Sequence, residues 1–154
     1  MADNNRYTVI GAGHGGKAMA AHLALMGKEV TLYNRTYAHI EEINKRRGIE
    51  LESYPDGPSG FGQIKKATSD MKEALKDAQV IMVVVPSSAH ADLAKLMAPY
   101  LKDGQVILLN PGRTCGAIEF DMVVRREGCK ANYLLAEAET FLYAARSDGP
   151  AQAR

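Results

Sequence analysis

Short runs of apolar and β-branched residues alternate along the chain with longer segments in which apolar residues recur at helical spacing. These short runs are the predicted strands, and they fall at residues 6–10, 29–33, 79–85, 105–109 and 133–136. The run at 79–85 is the most continuously apolar, which is typical of a central parallel strand buried on both faces. Strands that alternate with helices predict an α/β fold, with a doubly wound, mostly parallel sheet and helices on both faces.

The segments between the strands predict helices at residues 14–26, 37–46, 70–76, 88–101 and 117–126. The stretch 49–68 has no helical pattern and contains a cluster of turn residues at 55–62. A short strand at 49–53, with a second at 64–68 placed to pair back on it, predicts a hairpin-like excursion there. Residues 147–154 are small and polar, and they predict a disordered tail or a cut linker.

A glycine-rich turn lies between the first predicted strand and the first predicted helix. Its residues are Gly11, Ala12, Gly13, His14, Gly15 and Gly16, and we call them the phosphate turn. The first glycine permits a tight turn, the second lets the backbone approach a pyrophosphate, and the third lets the helix pack closely on the sheet. Free amide groups at the helix start then face the phosphates. The pattern predicts a Rossmann-type dinucleotide-binding domain over residues 1–140.

The residues after the second strand bear on which dinucleotide binds. A carboxylate at this place normally accepts hydrogen bonds from the ribose hydroxyls of NAD. Here the sequence offers Asn34, Arg35 and Thr36, with no acid to repel a 2′-phosphate and a guanidinium to pair with one. The sequence therefore favours NADP over NAD, although Arg35 in a solvated loop remains the alternative.

Two further loops follow strands whose carboxyl ends face the ligand in such folds. They contribute the candidate cofactor-binding residues Val85, Pro86, Ser87, Asn110, Pro111 and Gly112. Proline and glycine here shape a compact wall beside the cofactor, or they simply end the strands. Lys17 and His22 are expected on the surface of the first helix, and no partner is apparent for His39 or His90.

The composition fits one ordinary globular domain of 154 residues, with 46% hydrophobic and 24% charged residues. A net charge of +1 argues against broad electrostatic binding to nucleic acid or membranes. No apolar run is long enough for a transmembrane helix and the first residues are not a signal peptide, so we expect a cytoplasmic protein. Cys115 and Cys129 are expected to be reduced thiols, and the spacing of cysteines and histidines predicts no metal site.

Four blocks of the chain resemble the octopine/nopaline (opine) dehydrogenase family. They lie at residues 9–16, 84–87, 110–120 and 137–140, and the block at 110–120 is the most specific because a general Rossmann domain does not need it. The run Asn34-Arg35-Thr36 is also similar to the NADP-selective corner of 6-phosphogluconate and β-hydroxyacid dehydrogenases. The resemblance covers nearly the whole chain.

The resemblance implies an oxidoreductase that condenses an α-keto acid with an amino acid, using hydride from a nicotinamide cofactor. In that family a histidine and its carboxylate partner act from a helical second domain, and no residue here matches them, so no catalytic residue is predicted. Residues 141–154 are then a tail or a truncated linker to that domain. A free-standing dinucleotide-sensing module and a ketopantoate- or β-hydroxyacid-type reductase domain are the alternatives. Apolar residues at 141–143, exposed without a second domain, predict a homodimer.

Overall fold

A parallel sheet of six strands forms the centre of the computed structural model, which describes residues 5–154. The strands within these residues are β1 (Arg6–Ile10), β2 (Glu29–Tyr33), β3 (Gly48–Leu51), β4 (Gly60–Gln63), β5 (Lys66–Thr68), β6 (Val80–Val83), β7 (Val106–Leu109), β8 (Leu134–Glu137) and β9 (Gln152–Ala153). The main sheet has the order β5-β2-β1-β6-β7-β8, and its strands pair in parallel. The order reverses between β1 and β6, which is where ligands bind in doubly wound sheets.

Helices cover both faces of this sheet. They are α1 (His14–Leu25), α2 (Glu41–Arg46), α3 (Met71–Leu75), α4 (His90–Met97) and α5 (Gly116–Arg126). Neighbouring strand residues point to opposite faces, so Val9 enters the core with α1 and α2, while Ile10 enters the core with α3, α4 and α5. The predicted fold class is confirmed. Among residues 5–154, none of the helices has the length and apolar character needed to cross a membrane.

The central strand of the prediction is β6, which lies between β1 and β7 and is buried at every position. The strand is shorter than the apolar run that predicted it, because Val84 and Val85 have left the sheet and form part of a crevice wall. The helix predicted at 88–101 is α4 with a short 3-10 turn on each side, at Ser87–Ala89 and Ala98–Tyr100.

The hairpin prediction is wrong in its second strand. β3 pairs antiparallel with β4, whereas Lys66–Thr68 forms β5 and pairs in parallel with β2 at the edge of the main sheet. A side chain at Gly62 would place its Cβ 2.7 Å from the Cα atom of Ala21, so glycine is needed where β4 crosses α1. Glycine is depleted in ordinary strands. The glycines that this packing requires therefore lower the strand propensity of β4, so the sequence does not predict it.

The prediction of disorder at residues 147–154 is also wrong. β9 pairs in parallel with β3, and Ala151 and Ala153 are only 1% and 4% exposed. We call residues 141–154 the C-terminal strap, because they run from the last strand of the main sheet back over α1. Phe141 and Tyr143 pack against the core on the α1 side, while Leu142 stays 60% exposed. Much of the apolar surface behind the dimer prediction is thus covered within one chain, and the dimer stays a prediction.

A candidate dinucleotide-binding site

The phosphate turn has the tight geometry that its glycines predict. Gly11 adopts a φ of +109°, and a Cβ atom there would overlap the carbonyl oxygen of Val84. A Cβ atom at Gly16 would overlap the carbonyl oxygen of Gly11 itself. The amide of Gly11 also donates a hydrogen bond of 2.8 Å to the carbonyl oxygen of Tyr33. The backbone around Gly11 and Gly16 is therefore packed so closely that neither position has room for a side chain.

The start of α1 suits an anion. No side chain caps the helix, and its first turn contains no acidic residue. The first amide groups of a helix have no partner within it, and they carry the positive end of the helix dipole. Gly13 is exposed, and a Cβ atom at this position would meet no atom within 4 Å. The turn thus leaves open space directly in front of unpaired donors, which fits a dinucleotide pyrophosphate.

The C-terminal strap contacts this turn, which the sequence did not predict. The amide of Ser147 donates a hydrogen bond of 2.9 Å to Nδ1 of His14, so Nδ1 carries no proton. The ring of Phe141 lies so close to Gly15 that a Cβ atom there would overlap it. His14 and Gly15 are therefore shaped by the strap as well as by α1.

Two residues of α1 that were expected on the surface are instead held under the strap. Lys17 is only 8% exposed, and its Nζ donates to Oγ of Ser147 at 3.0 Å and to the carbonyl oxygen of Gly149 at 3.1 Å. Burial lowers the pKa of Lys17 below its ordinary value. His22 is half-buried, with its Nδ1 2.9 Å from the hydroxyl of Tyr143. Both expectations failed because no pattern in the sequence showed that the strap would fold over this face.

The loop after β2 is tied to the phosphate turn through one side chain. Oδ1 of Asn34 accepts the amide hydrogen of Ala12 at 3.2 Å, and Nδ2 of Asn34 donates to the carbonyl oxygen of Thr36 at 2.9 Å. Nδ2 also lies 3.5 Å from Nδ1 of His39, which gives that histidine its neighbour. Asn34 is therefore a positioning residue, and Arg35 beside it is exposed.

A cavity of about 270 Å³ opens on the β2 side of the turn. The predicted residues Gly11, Asn34, Arg35, Val85 and Pro86 line it, and α4 completes it with Asp92, Leu93 and Leu96. The sequence did not predict this contribution of α4. The sequence feature that could have indicated it is Leu96, an apolar residue on the polar side of the helix that stays 43% exposed. An apolar slot with an arginine at its mouth suits an adenosine.

A wider cleft of about 570 Å³ opens on the other side of the turn. The predicted residues in its walls are Gly13, His14, Gly15, Gly16, Val85, Pro86, Ser87, Asn110 and Pro111. Arg113, which belongs to the predicted loop after β7, also lines it, together with the strap residues Phe141 and Arg146, which the sequence did not predict. Of the candidates, Ala12, Thr36 and Gly112 line neither opening. Gly112 is buried against Glu137, where a Cβ atom would overlap that side chain.

A buried histidine supports the loop that follows β7. His90 is fully buried, and within residues 5–154 neither of its ring nitrogens has a hydrogen-bond partner. Burial lowers the pKa of His90, against the opposing charges of Glu119 and Glu137. Glu137 accepts the amide hydrogen of Ala117 at 2.7 Å and so satisfies the start of α5. We assign this neutral imidazole to packing behind the cleft wall.

The parallel sheet, the glycine turn at the switch point and the flanking cavities define a Rossmann-type dinucleotide-binding domain. Residues 6–112 match the family described as the N-terminus of NAD-dependent glycerol-3-phosphate dehydrogenase, and the chain belongs to this family. It is a nicotinamide-dinucleotide-binding domain of the dehydrogenase type.

Relatives extend this assignment. The chain is 40% identical over 152 residues to an opine dehydrogenase of Arthrobacter, which covers 99% of this chain and 42% of the relative. It is also 40% identical over 103 residues to a glycerol-3-phosphate dehydrogenase [NAD(P)+] of Carboxydothermus hydrogenoformans, covering 67% of this chain and 30% of that enzyme. The resemblance to opine dehydrogenases is confirmed. The chain spans less than half the length of each of these relatives.

Two solved structures show the same fold. The structure of octopine dehydrogenase with NADH and L-arginine matches with a TM-score of 0.83 and 21% identity, over 96% of this chain and 38% of that one. A ketopantoate reductase from Ralstonia eutropha matches with a TM-score of 0.70 and 26% identity, over 97% of this chain and 45% of that one. The fold is thus shared among several classes of reductase, and the choice between their substrates rests on other observations.

Proposed function

We propose that this chain is the cofactor-binding domain of an opine-type dehydrogenase, which joins an α-keto acid to an amino acid by reduction. One observation carries the choice. The family model ends at residue 112, whereas the alignment with the Arthrobacter opine dehydrogenase covers 99% of the chain, including β8 and the C-terminal strap. The strap contacts the phosphate turn directly, so the part of the chain that favours opine dehydrogenases is also part of the site.

In this proposal the two openings hold different parts of the cofactor. The amides at the start of α1 hold the pyrophosphate, the slot beside Arg35 takes the adenosine, and the wider cleft takes the nicotinamide end. A bound nicotinamide cofactor supplies hydride, and the walls at residues 84–87 and 110–113 orient it and exclude water. Related octopine dehydrogenase structures contain NADH with L-arginine or with pyruvate, which supports an amino acid and a keto acid as the substrates.

The catalytic groups are proposed to lie outside this chain. The relatives are more than twice as long, and we propose that the strap joins the cofactor domain to their remaining part. A reductase of the glycerol-3-phosphate type is the second candidate, and the family match over residues 6–112 favours it. The two differ in one assay: an enzyme containing this domain oxidises NADPH or NADH with a keto acid plus an amino acid, or with dihydroxyacetone phosphate.

Titration of the purified chain with NADH tests the cofactor proposal. We expect saturable binding, and we expect Gly13→Ala to weaken it by about tenfold, because a methyl group there fills the space where the pyrophosphate approaches the backbone. Gly13 has a φ of −73°, which alanine adopts freely, so the fold should be kept. Calorimetry measures both proteins. Absence of saturable binding of either coenzyme at millimolar concentration would contradict the proposal.

We further propose that the domain prefers NADP. Arg35 is exposed at the mouth of the adenosine slot, and no acid follows β2 at the position that would repel a 2′-phosphate. NADPH is expected to bind about tenfold more tightly than NADH, and Arg35→Ala should remove most of that difference by weakening NADPH alone. Arg126→Ala, the same change at the exposed end of α5, is the matched control and should leave both affinities unchanged. Equal affinities of the wild-type protein for the two coenzymes would refute the preference.

A further inference from the structure

Arg146 is a cation on the C-terminal strap, and it lines the wider cleft beside the phosphate turn. We infer that Arg146 binds the diphosphate of the cofactor from the side opposite the amides of α1. This inference rests on the proposed function and deepens it, because it adds a charged side chain to a diphosphate site that was proposed above from backbone amides alone.

The backbone of Arg146 is fixed beside the phosphate turn. Its amide donates to the carbonyl oxygen of Arg154 at 2.6 Å, and the amide of Arg154 donates back to the carbonyl oxygen of Arg146 at 2.8 Å. The next residue, Ser147, bonds His14 through its amide and Lys17 through its hydroxyl. The position of Arg146 relative to the start of α1 is therefore set by contacts on both sides.

The side chain of Arg146 has unused hydrogen-bonding capacity. It lines the wider cleft together with Gly13 and His14, and its Nη1 donates to the carbonyl oxygen of Ala145 at 2.9 Å. The salt bridges formed among residues 5–154 do not include it. A guanidinium has five donors in a planar fork that matches two phosphate oxygens, so most of this fork is available to a ligand.

The other cations near the turn are less suited to this task. The ammonium of Lys17 is already committed to Ser147 and Gly149 beneath the strap. Arg113 lines the same cleft, but it extends from the loop after β7 and not from a segment bonded to the turn. A dinucleotide diphosphate carries two negative charges, and amides without a nearby cation neutralise them only in part. Arg146 supplies the missing charge.

The test measures the affinity of wild-type protein, Arg146→Gln and Arg146→Lys for NADH, NADPH and adenosine. We expect Arg146→Gln to weaken both dinucleotides by the same factor, about tenfold or more, since a charge-assisted hydrogen bond is lost. The affinity for adenosine, which has no phosphate, should not change. Arg146→Lys should restore part of the loss, and the salt dependence of NADH binding should be smaller in Arg146→Gln. Arg126→Gln, at the exposed end of α5, is the matched control.

The possible outcomes distinguish a failure of this inference from a failure of the proposed function. If wild-type protein binds neither NADH nor NADPH, the proposed function fails and Arg146 has no diphosphate to hold. If wild-type protein binds NADH and Arg146→Gln binds it equally well, only the role of Arg146 is refuted. A merely structural role would lower the melting temperature and weaken adenosine together with NADH, and that result also overturns the inference.

Discussion

Gly16→Ala is expected to lower the free energy of unfolding by about 3 kcal/mol, because it overpacks backbone against backbone. The new methyl group would overlap the carbonyl oxygen of Gly11, which belongs to the same turn. Relief requires α1 to move away from β1 or the turn to open. Either movement disturbs the core around Met19 and Ala20, both of which are essentially fully buried. Urea denaturation of the two proteins measures the difference.

Gly13→Ala is the matched control, since it lies in the same turn and makes the same chemical change. A methyl group at Gly13 would meet open space, so its free energy of unfolding should stay within about 1 kcal/mol of the wild-type value. The pair separates the two roles proposed for the turn, close packing at Gly16 and ligand binding at Gly13. A Gly16→Ala protein as stable as Gly13→Ala would show that the turn relaxes without cost and that the close packing is not needed.

The sequence was sufficient for five of the six strands of the main sheet and for the phosphate turn because their signals are local. A buried parallel strand reads as a continuous apolar run, and Val80–Val83 is such a run. The turn needs glycine for steric reasons that act within a few residues, as the φ of Gly11 shows. Candidate residues on the three loops were predicted by the same rule, since the carboxyl ends of parallel strands meet at one edge of a sheet.

The features that the sequence did not predict depend on contacts between distant segments. β4 was missed because its glycines serve the crossing over α1, which lies about 40 residues earlier in the chain. The contribution of α4 to the adenosine slot depends on where the helix lies relative to β2. His90 was left without a partner by the sequence, and among residues 5–154 its ring nitrogens have none. Whether a buried polar side chain finds a hydrogen-bond partner depends on tertiary packing, which the spacing of residues along the chain does not show.

The strap shows how small residues conceal tertiary structure. Its buried positions are Ala145, Ala151 and Ala153, and a methyl group carries too little apolar surface to stand out among glycine, serine and proline. The docked strap is therefore stabilised by strand pairing with β3 and by the hydrogen bonds from Lys17 as well as by the small apolar surface that it buries. A segment of this kind docks through many weak contacts, so a single charge placed beneath it should be enough to release it.

Ala151→Asp should release the strap. Ala151 is 1% exposed in the core beneath α1, and an unpaired carboxylate buried there would cost several kcal/mol, about 3 or more. Undocking residues 144–154 avoids that cost, so the loss of stability is limited to the docking free energy of the strap. We expect trypsin to cleave after Arg146 rapidly in the variant and slowly in the wild-type protein.

NADH binding should weaken in Ala151→Asp, because an undocked strap removes Ser147 from His14 and takes Arg146 away from the cleft. Pro150→Asp is the control: it adds the same charge one residue earlier, at an exposed position that has no amide hydrogen to lose. It should resemble the wild-type protein in both assays. If Ala151→Asp is cleaved as slowly as Pro150→Asp and binds NADH equally well, the burial of Ala151 is not what holds the strap in place. If Ala151→Asp is cleaved rapidly but binds NADH as well as Pro150→Asp does, the turn binds its ligand without the strap.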